Sequence, residues 1–205
     1  MDNMKIPSPM ATVRAPRRER GRRRVTALLD AAEAVFADKG FDAATMTEIA
    51  ARAGASIGSL YQFFPTKELL AEALMARDTA VLIERLAAFE AAAAAWSPAD
   101  LADRLAPALI EFRADHPAFA ILLEAIGAPA EKAAAAGRAV RAGVRAILAA
   151  AAPDRPAALL DAAAAAVQQV MKGAVAVKAE ADPIWPAALD ELRTMLRLYL
   201  ADRLG

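Results

Sequence analysis

Residues 45–67 read TMTEIAARAGASIGSLYQFFPTK, and the spacing within this stretch decides the fold. Thr45 can cap a helix. Glu48, three residues on, can reach back to the Thr45 N–H, which makes a reciprocal capping box. Met46, Ile49, Ala50 and Ala53 then fall on one face at helical spacing. Gly54 follows where a left-handed residue closes a helix. Ser56 can cap a second helix whose inward face carries Leu60, Tyr61 and Phe64. Pro65 ends it, because proline lacks an N–H and disfavours helical geometry at the residue before it. Ala50 is small where the two helices must cross, and Leu60 points back into the first. Two helices of about two turns joined by a glycine-containing turn predict a helix-turn-helix. An ordinary helical hairpin has the same local pattern, so the flanks must separate the two readings.

Upstream, Val25, Leu28, Leu29, Ala32 and Phe36 form one apolar stripe of a first helix, expected from near Arg22 to Lys39. Gly40 ends it and Phe41 tucks back. Downstream, Thr66 caps a long helix from Lys67 to about Ala95. The run from Leu28 to Leu70, LLDAAEAVFADKGFDAATMTEIAARAGASIGSLYQFFPTKELL, closely resembles the DNA-binding domain of the tetracycline-repressor (TetR) family of bacterial regulators. The likeness rests on Ala32, Phe36, Lys39, Gly40 and Phe41. It continues through Thr45, Ile49, Ala50, Gly54, Ser56, Gly58, Leu60, Tyr61, Phe64, Lys67, Glu68 and Leu70. It covers about a fifth of the chain, and the remainder must be read from its own residues.

Composition agrees with an all-α protein. Of 205 residues 58% are hydrophobic, but much of this is alanine, the best helix former and a small contributor of volume. There is no cysteine, hence no disulfide or thiolate chemistry. No uncharged apolar run reaches the eighteen or so residues of a membrane span, and no apolar leader segment opens the chain. A cytoplasmic protein is expected. The zero net charge hides an asymmetry: residues 1–24 carry eight basic against two acidic side chains, net +6. A basic arm on a mildly acidic body suits a polyanionic partner at one end.

Further helix starts follow. Ser97-Pro98 with Asp100 begins a fifth helix, His116-Pro117 separates it from a sixth, and Gly127-Ala128-Pro129 precedes a seventh. Pro153 to Pro156 form a turn. In the eighth helix Leu160, Ala163, Val167, Val170, Ala174 and Val177 are spaced 3-4-3-4-3. In the ninth, Leu189, Leu192, Leu196 and Tyr199 are spaced 3-4-3. Such seams suit shallow helix packing, within one subunit or between two. The expected organisation is a disordered basic arm (1–21), a helix-turn-helix domain (22–66) and a helical ligand-binding and dimerisation domain (67–205), about nine helices in all.

The resemblance implies roles for particular residues. Ser56, Ile57, Gly58, Ser59 and Gln62 match base- or phosphate-facing positions, Tyr61 and Lys67 match backbone contacts, and Thr47 faces DNA from the preceding helix. The chemistry agrees: hydroxyls and an ammonium suit phosphate oxygens, and Gln62 can pair with adenine N6 and N7. Ile57 offers only apolar contact, to a thymine methyl or to the core. Tyr61 can pack inward and still expose its hydroxyl. So short a recognition helix needs two half-sites, hence a homodimer on an inverted repeat of double-stranded DNA. The family's last two helices form the dimer interface, which places the seams of the eighth and ninth helices there.

The family also implies a small-molecule effector in the body, here expected to be largely apolar. Candidate lining residues are Phe89, Trp96, Phe112, His116, Phe119, Leu123, Gln168, Gln169 and Met171. Each is also ordinary helical core. His116 has a structural reading at a helix C-terminus. Gln168 and Gln169 interrupt an apolar helix, and a buried amide needs a partner. The expected function is a repressor released by its ligand. The alternative keeps the head and gives the body a protein partner or no ligand. One histidine, no cysteine, no HExxH and no phosphate-binding glycine loop argue against an enzyme. No cofactor, metal or membrane contact is expected.

Overall fold

The structure, a computed structural model, describes residues 17–125, 130–176 and 184–205. Among the described residues the chain is nine α-helices with no strand. The first, α1 (Arg17–Ala43), starts earlier than the apolar stripe suggested. Glu19 in its first turn pairs with Arg22 and Arg23 one turn on, which supports the helix against the repulsion of its arginines. Residues 1–16 of the expected arm lie outside the described residues. Gly40 (φ 78, ψ 172) breaks α1 where expected, and the Phe41 ring returns to within 5.7 Å of Phe36.

The helix-turn-helix is α2 (Met46–Arg52) and α3 (Ile57–Phe63). Both halves of the Thr45–Glu48 capping box form. Gly54 takes φ 60. Its N–H reaches the Ala51 carbonyl, and the Ala55 N–H reaches that of Ala50. That pair of bonds satisfies the orphan carbonyls at the end of α2. Thr66 caps α4 (Lys67–Ala93). α5 (Pro98–Asp115) carries the Ser97–Asp100 capping box. It also absorbs Pro107 in its interior, because Leu101, Ala102, Leu105 and Phe112 on one side are buried and hold it in place.

α6 (Pro117–Ala125), α7 (Ala130–Ala151), α8 (Ala157–Ala176) and α9 (Trp185–Leu204) complete the body. α4 packs on α7, α5 on α9, and α7 on α8. A Cβ on Gly143 would stand 3.1 Å from the Leu86 side chain, so the bare backbone there lets α7 close on α4. Two cores result. The head core gathers Leu28, Phe36, Ile49, Leu60, Leu70 and Leu74. It also takes Ala118 and Leu122 of α6, so α6 belongs to head and body alike.

The seams on α8 and α9 need correction. Leu160, Ala163, Val167 and Leu196 were expected at a dimer interface, yet they are buried in the body core of this single chain. A 3-4 repeat marks a face that must be covered but not which helices cover it, and here α5 and α7 lie within reach. Val170, Leu189, Leu192 and Tyr199 are half-buried. Ala174 and Val177 lie outside the residues whose side chains are described.

Candidate nucleic-acid interface

The head turns one face inward and one face out. Ile49 and Ala50 of α2 close against Leu60 of α3, with Phe64 behind them. The helical period then sends the intervening residues to the surface. Thr47, Ser56, Gly58 and Gln62 are exposed, and Ser59 is half-exposed. Ile57 is 40% exposed and Tyr61 48%. Ile57 therefore does not take the core role its spacing permitted. Tyr61 stands further out than an inward residue would, and Leu60 and Phe64 fill the core without it.

The local bonds fix how this face is presented. The Ser56 hydroxyl oxygen accepts from the Ser59 N–H at 3.2 Å, which leaves its own proton free to donate outward. Lys39 at the end of α1 bonds Glu48. That bond, followed by those from Thr45, holds the Glu48 carboxyl below the usual carboxylate range. The start of α2 is thus tied to α1 as well as capped.

Lys67 is used differently from what its family position implied. Its ammonium donates to the carbonyls of Phe41, Asp42 and Ala44 at 2.7, 3.1 and 3.1 Å. It also lies 4.5 Å above the centre of the Phe41 ring. An ammonium has three donors, and all three are engaged. In this conformation Lys67 closes the end of α1 and offers nothing to a phosphate. Two exposed features of the head escaped the sequence reading. Arg52 ends α2 as a surface cation, and Phe63 is exposed beside Gln62. A basic residue within the helix-turn-helix was signal enough for Arg52; nothing in the spacing marked Phe63.

The body residues proposed to meet a ligand separate into small groups. Phe89 and Trp96 meet edge to face at 5.6 Å, with Arg104 stacked 4.7 Å over Trp96. Phe112 is buried between His116 and Phe119, at 4.6 and 5.4 Å. Gln168 is buried and donates to the Gly137 carbonyl at 2.7 Å, so the chain itself supplies its partner. Leu123 and Gln169 are exposed and cannot wall an enclosed site within this chain. The side chain of Met171 is not among those described.

A second constellation joins head to body. The Glu33 carboxylate of α1 accepts from the Ala118 N–H of α6 at 3.1 Å. Arg77 of α4 reaches Asp30 at 2.7 Å, Glu33 at 2.8 Å and Asp78 at 3.0 Å. His116, at the corner between α5 and α6, brings Nδ1 to 3.1 Å from Asp78 and 3.9 Å from Glu33. Burial, and then the neighbouring Asp78 charge, push the Glu33 carboxyl upward; the Ala118 bond, Arg77 and His116 oppose that. His116 thus sits beside a buried carboxylate that its helix-end position did not reveal.

Known proteins agree with this geometry. Residues 28–74 match the family described as bacterial regulatory proteins, tetR family. Residues 97–200 match the tetracyclin repressor-like C-terminal domain. Among solved structures, the fatty acid degradation regulator FadR from Bacillus halodurans superposes with a TM-score of 0.64 at 16% identity, covering 84% of this chain and 94% of that one. A TetR-family regulator from Mesorhizobium loti gives 0.64 at 22%, covering 90% and 96%. One from Streptomyces coelicolor gives 0.63 at 22%, covering 89% and 99%. At such identities the likeness concerns the fold. No curated protein sequence matches the chain.

Proposed function

Because this chain belongs to the TetR family of bacterial regulatory proteins, we propose that it is a cytoplasmic repressor that grips an inverted-repeat operator as a homodimer and releases it when a small, largely apolar molecule enters the body. The observation that carries this reading is the outward row on the head: Thr47, Ser56, Ile57, Gly58, Tyr61 and Gln62 share the exposed side of α2–α3. Hydroxyls of Thr47, Ser56, Ser59 and Tyr61 donate to phosphate oxygens and set the register. Gln62 reads adenine N6 and N7, and Ile57 packs on a thymine methyl. Gly58 leaves room for the backbone to approach. Lys67 acts indirectly, by holding the end of α1 against the start of α4.

Two exposed apolar residues on α9 support the dimer. Met195 is 59% exposed and Leu198 69%, one turn apart on the side opposite buried Leu196 and Leu200. This outer side of α9 replaces the inward seam as the proposed interface. A two-fold pair of heads then calls for two half-sites in opposite orientation.

Release follows from the double membership of α6. Its Ala118 and Leu122 sit in the head core, and its Ala118 N–H meets Glu33 of α1. A molecule that displaces α6 within the body must pull on the head. A ligand binding the displaced state more tightly would shift the population toward it. Selection of random duplex DNA by the purified chain tests the reading. Enrichment of an inverted repeat supports it, and a folded protein that enriches nothing at low salt overturns it.

A further inference from the structure

The junction of Glu33, Asp78 and His116 has the features of an ion site. The three residues come from different parts of the chain, and each offers one ligand atom within 4.8 Å of the others. Asp78 is 0% exposed, and its Oδ2 has no hydrogen-bond partner among the described residues. His116 Nδ1 lies 3.1 Å from Asp78 Oδ1, yet it too makes no aligned hydrogen bond among the described residues. Close approach without donor–acceptor alignment is what two ligands of one central ion show. Ligands at about 2.1 Å from a tetrahedral ion stand about 3.4 Å apart. The 3.1 and 3.9 Å separations of His116 Nδ1 from the two carboxylates bracket that value.

Charge points the same way. Arg77 is the guanidinium shared among Asp30, Glu33 and Asp78, so three carboxylates face one positive charge. A divalent ion would bring this group to neutrality, and Arg77 would remain outside it, orienting two of the ligating carboxylates. We propose that Glu33, Asp78 and His116 bind a first-row divalent transition metal ion at the head–body junction. One imidazole nitrogen with two carboxylate oxygens suits that class, and the remaining coordination positions are left for water. The bound ion would tie α1, α4 and the α5–α6 corner together.

The test uses the full-length chain after dialysis against a chelator, titrated calorimetrically with Zn2+ and separately with Mn2+. It reads ion binding alone and does not depend on any DNA activity. The expected result is one saturable site per chain for at least one of the two ions, with a rise in thermal midpoint. His116→Gln and Asp78→Asn should each weaken binding at least tenfold, while Asp161→Asn, an exposed partner of Arg145 on α8, should not. Should Asp78→Asn fail to fold, His116→Gln at the more open edge of the group carries the test, with helicity checked by circular dichroism. Absence of saturable binding to the folded chain, or binding undiminished in the variants, would overturn the proposal.

Discussion

The ammonium of Lys67 lies 2.7 Å from the carbonyl oxygen of Phe41, twenty-six positions earlier in the chain. It thereby ties the first residue of α4 to the end of α1. Hydrogen bonds from a charged donor contribute more than neutral ones, though partial exposure reduces this. Lys67→Met should therefore destabilise the protein by about 1–2 kcal/mol. Urea unfolding measures this directly. An unchanged midpoint, with DNA binding lost, would return Lys67 to the role of a phosphate contact.

The Lys39–Glu48–Thr45 group makes the start of α2 sensitive to acid. Glu48 has its carboxyl pKa lowered, first by the Lys39 hydrogen bond and then by those from Thr45. A lowered carboxylate contributes stability above its unfolded pKa and loses it as pH falls through the folded value. The protein should thus lose this contribution below the usual carboxylate range. In Lys39→Met the Glu48 titration, followed by side-chain NMR, should move back up. No movement would mean that Lys39 does not hold the carboxylate in solution. Thr45→Ala should cost about 1 kcal/mol at neutral pH, as loss of an N-cap does.

Neighbouring positions on α3 should separate recognition from folding. Leu60 is fully buried and Ile57 is not. Leu60→Ala should cost about 2–5 kcal/mol, whereas Ile57→Ala should stay within about 0.5 kcal/mol and change DNA binding instead. Gln62→Ala should relax preference at one base pair by about 1–3 kcal/mol. Tyr61→Phe should weaken binding alike on all sequences. Competition binding on operator variants resolves these patterns; a uniform loss for Gln62→Ala would remove it from base readout.

The two sides of α9 should behave oppositely. Leu196 is buried, while Met195 and Leu198 face out. Leu196→Ala should lower stability by about 2–5 kcal/mol. The double variant Met195→Glu, Leu198→Glu should keep its helicity and sediment as a monomer. A dimer of undiminished affinity in that variant would place the interface elsewhere.

What could be read from the sequence follows the range of each interaction. The caps at Thr45, Ser56, Thr66 and Ser97 and the turn at Gly54 each depend on residues within six positions, and all formed as expected. The apolar stripe of α1 and the inward face of α2–α3 were legible because helical period fixes them. Contacts across the chain were not. Glu33 meets the Ala118 N–H 85 positions away, and no local pattern announces such a pair. The seams on α8 and α9 lie between these cases. Their period identified Leu160, Val167 and Leu196 as covered residues, but the covering helices are a property of the tertiary fold. The outward face of Met195 and Leu198 was hidden by the same reading, because attention to the 3-4 repeat assigns the other side to water.

The proposed repressor meets DNA through the exposed face of α2–α3. Amide hydrogen exchange, followed residue by residue with and without a mixed-sequence duplex at low ionic strength, tests this most directly. Slowed exchange confined to the head, centred on the amides of residues 56–62, is the predicted result. Protection that falls on α5, α7 or α8 and spares the head would contradict the account.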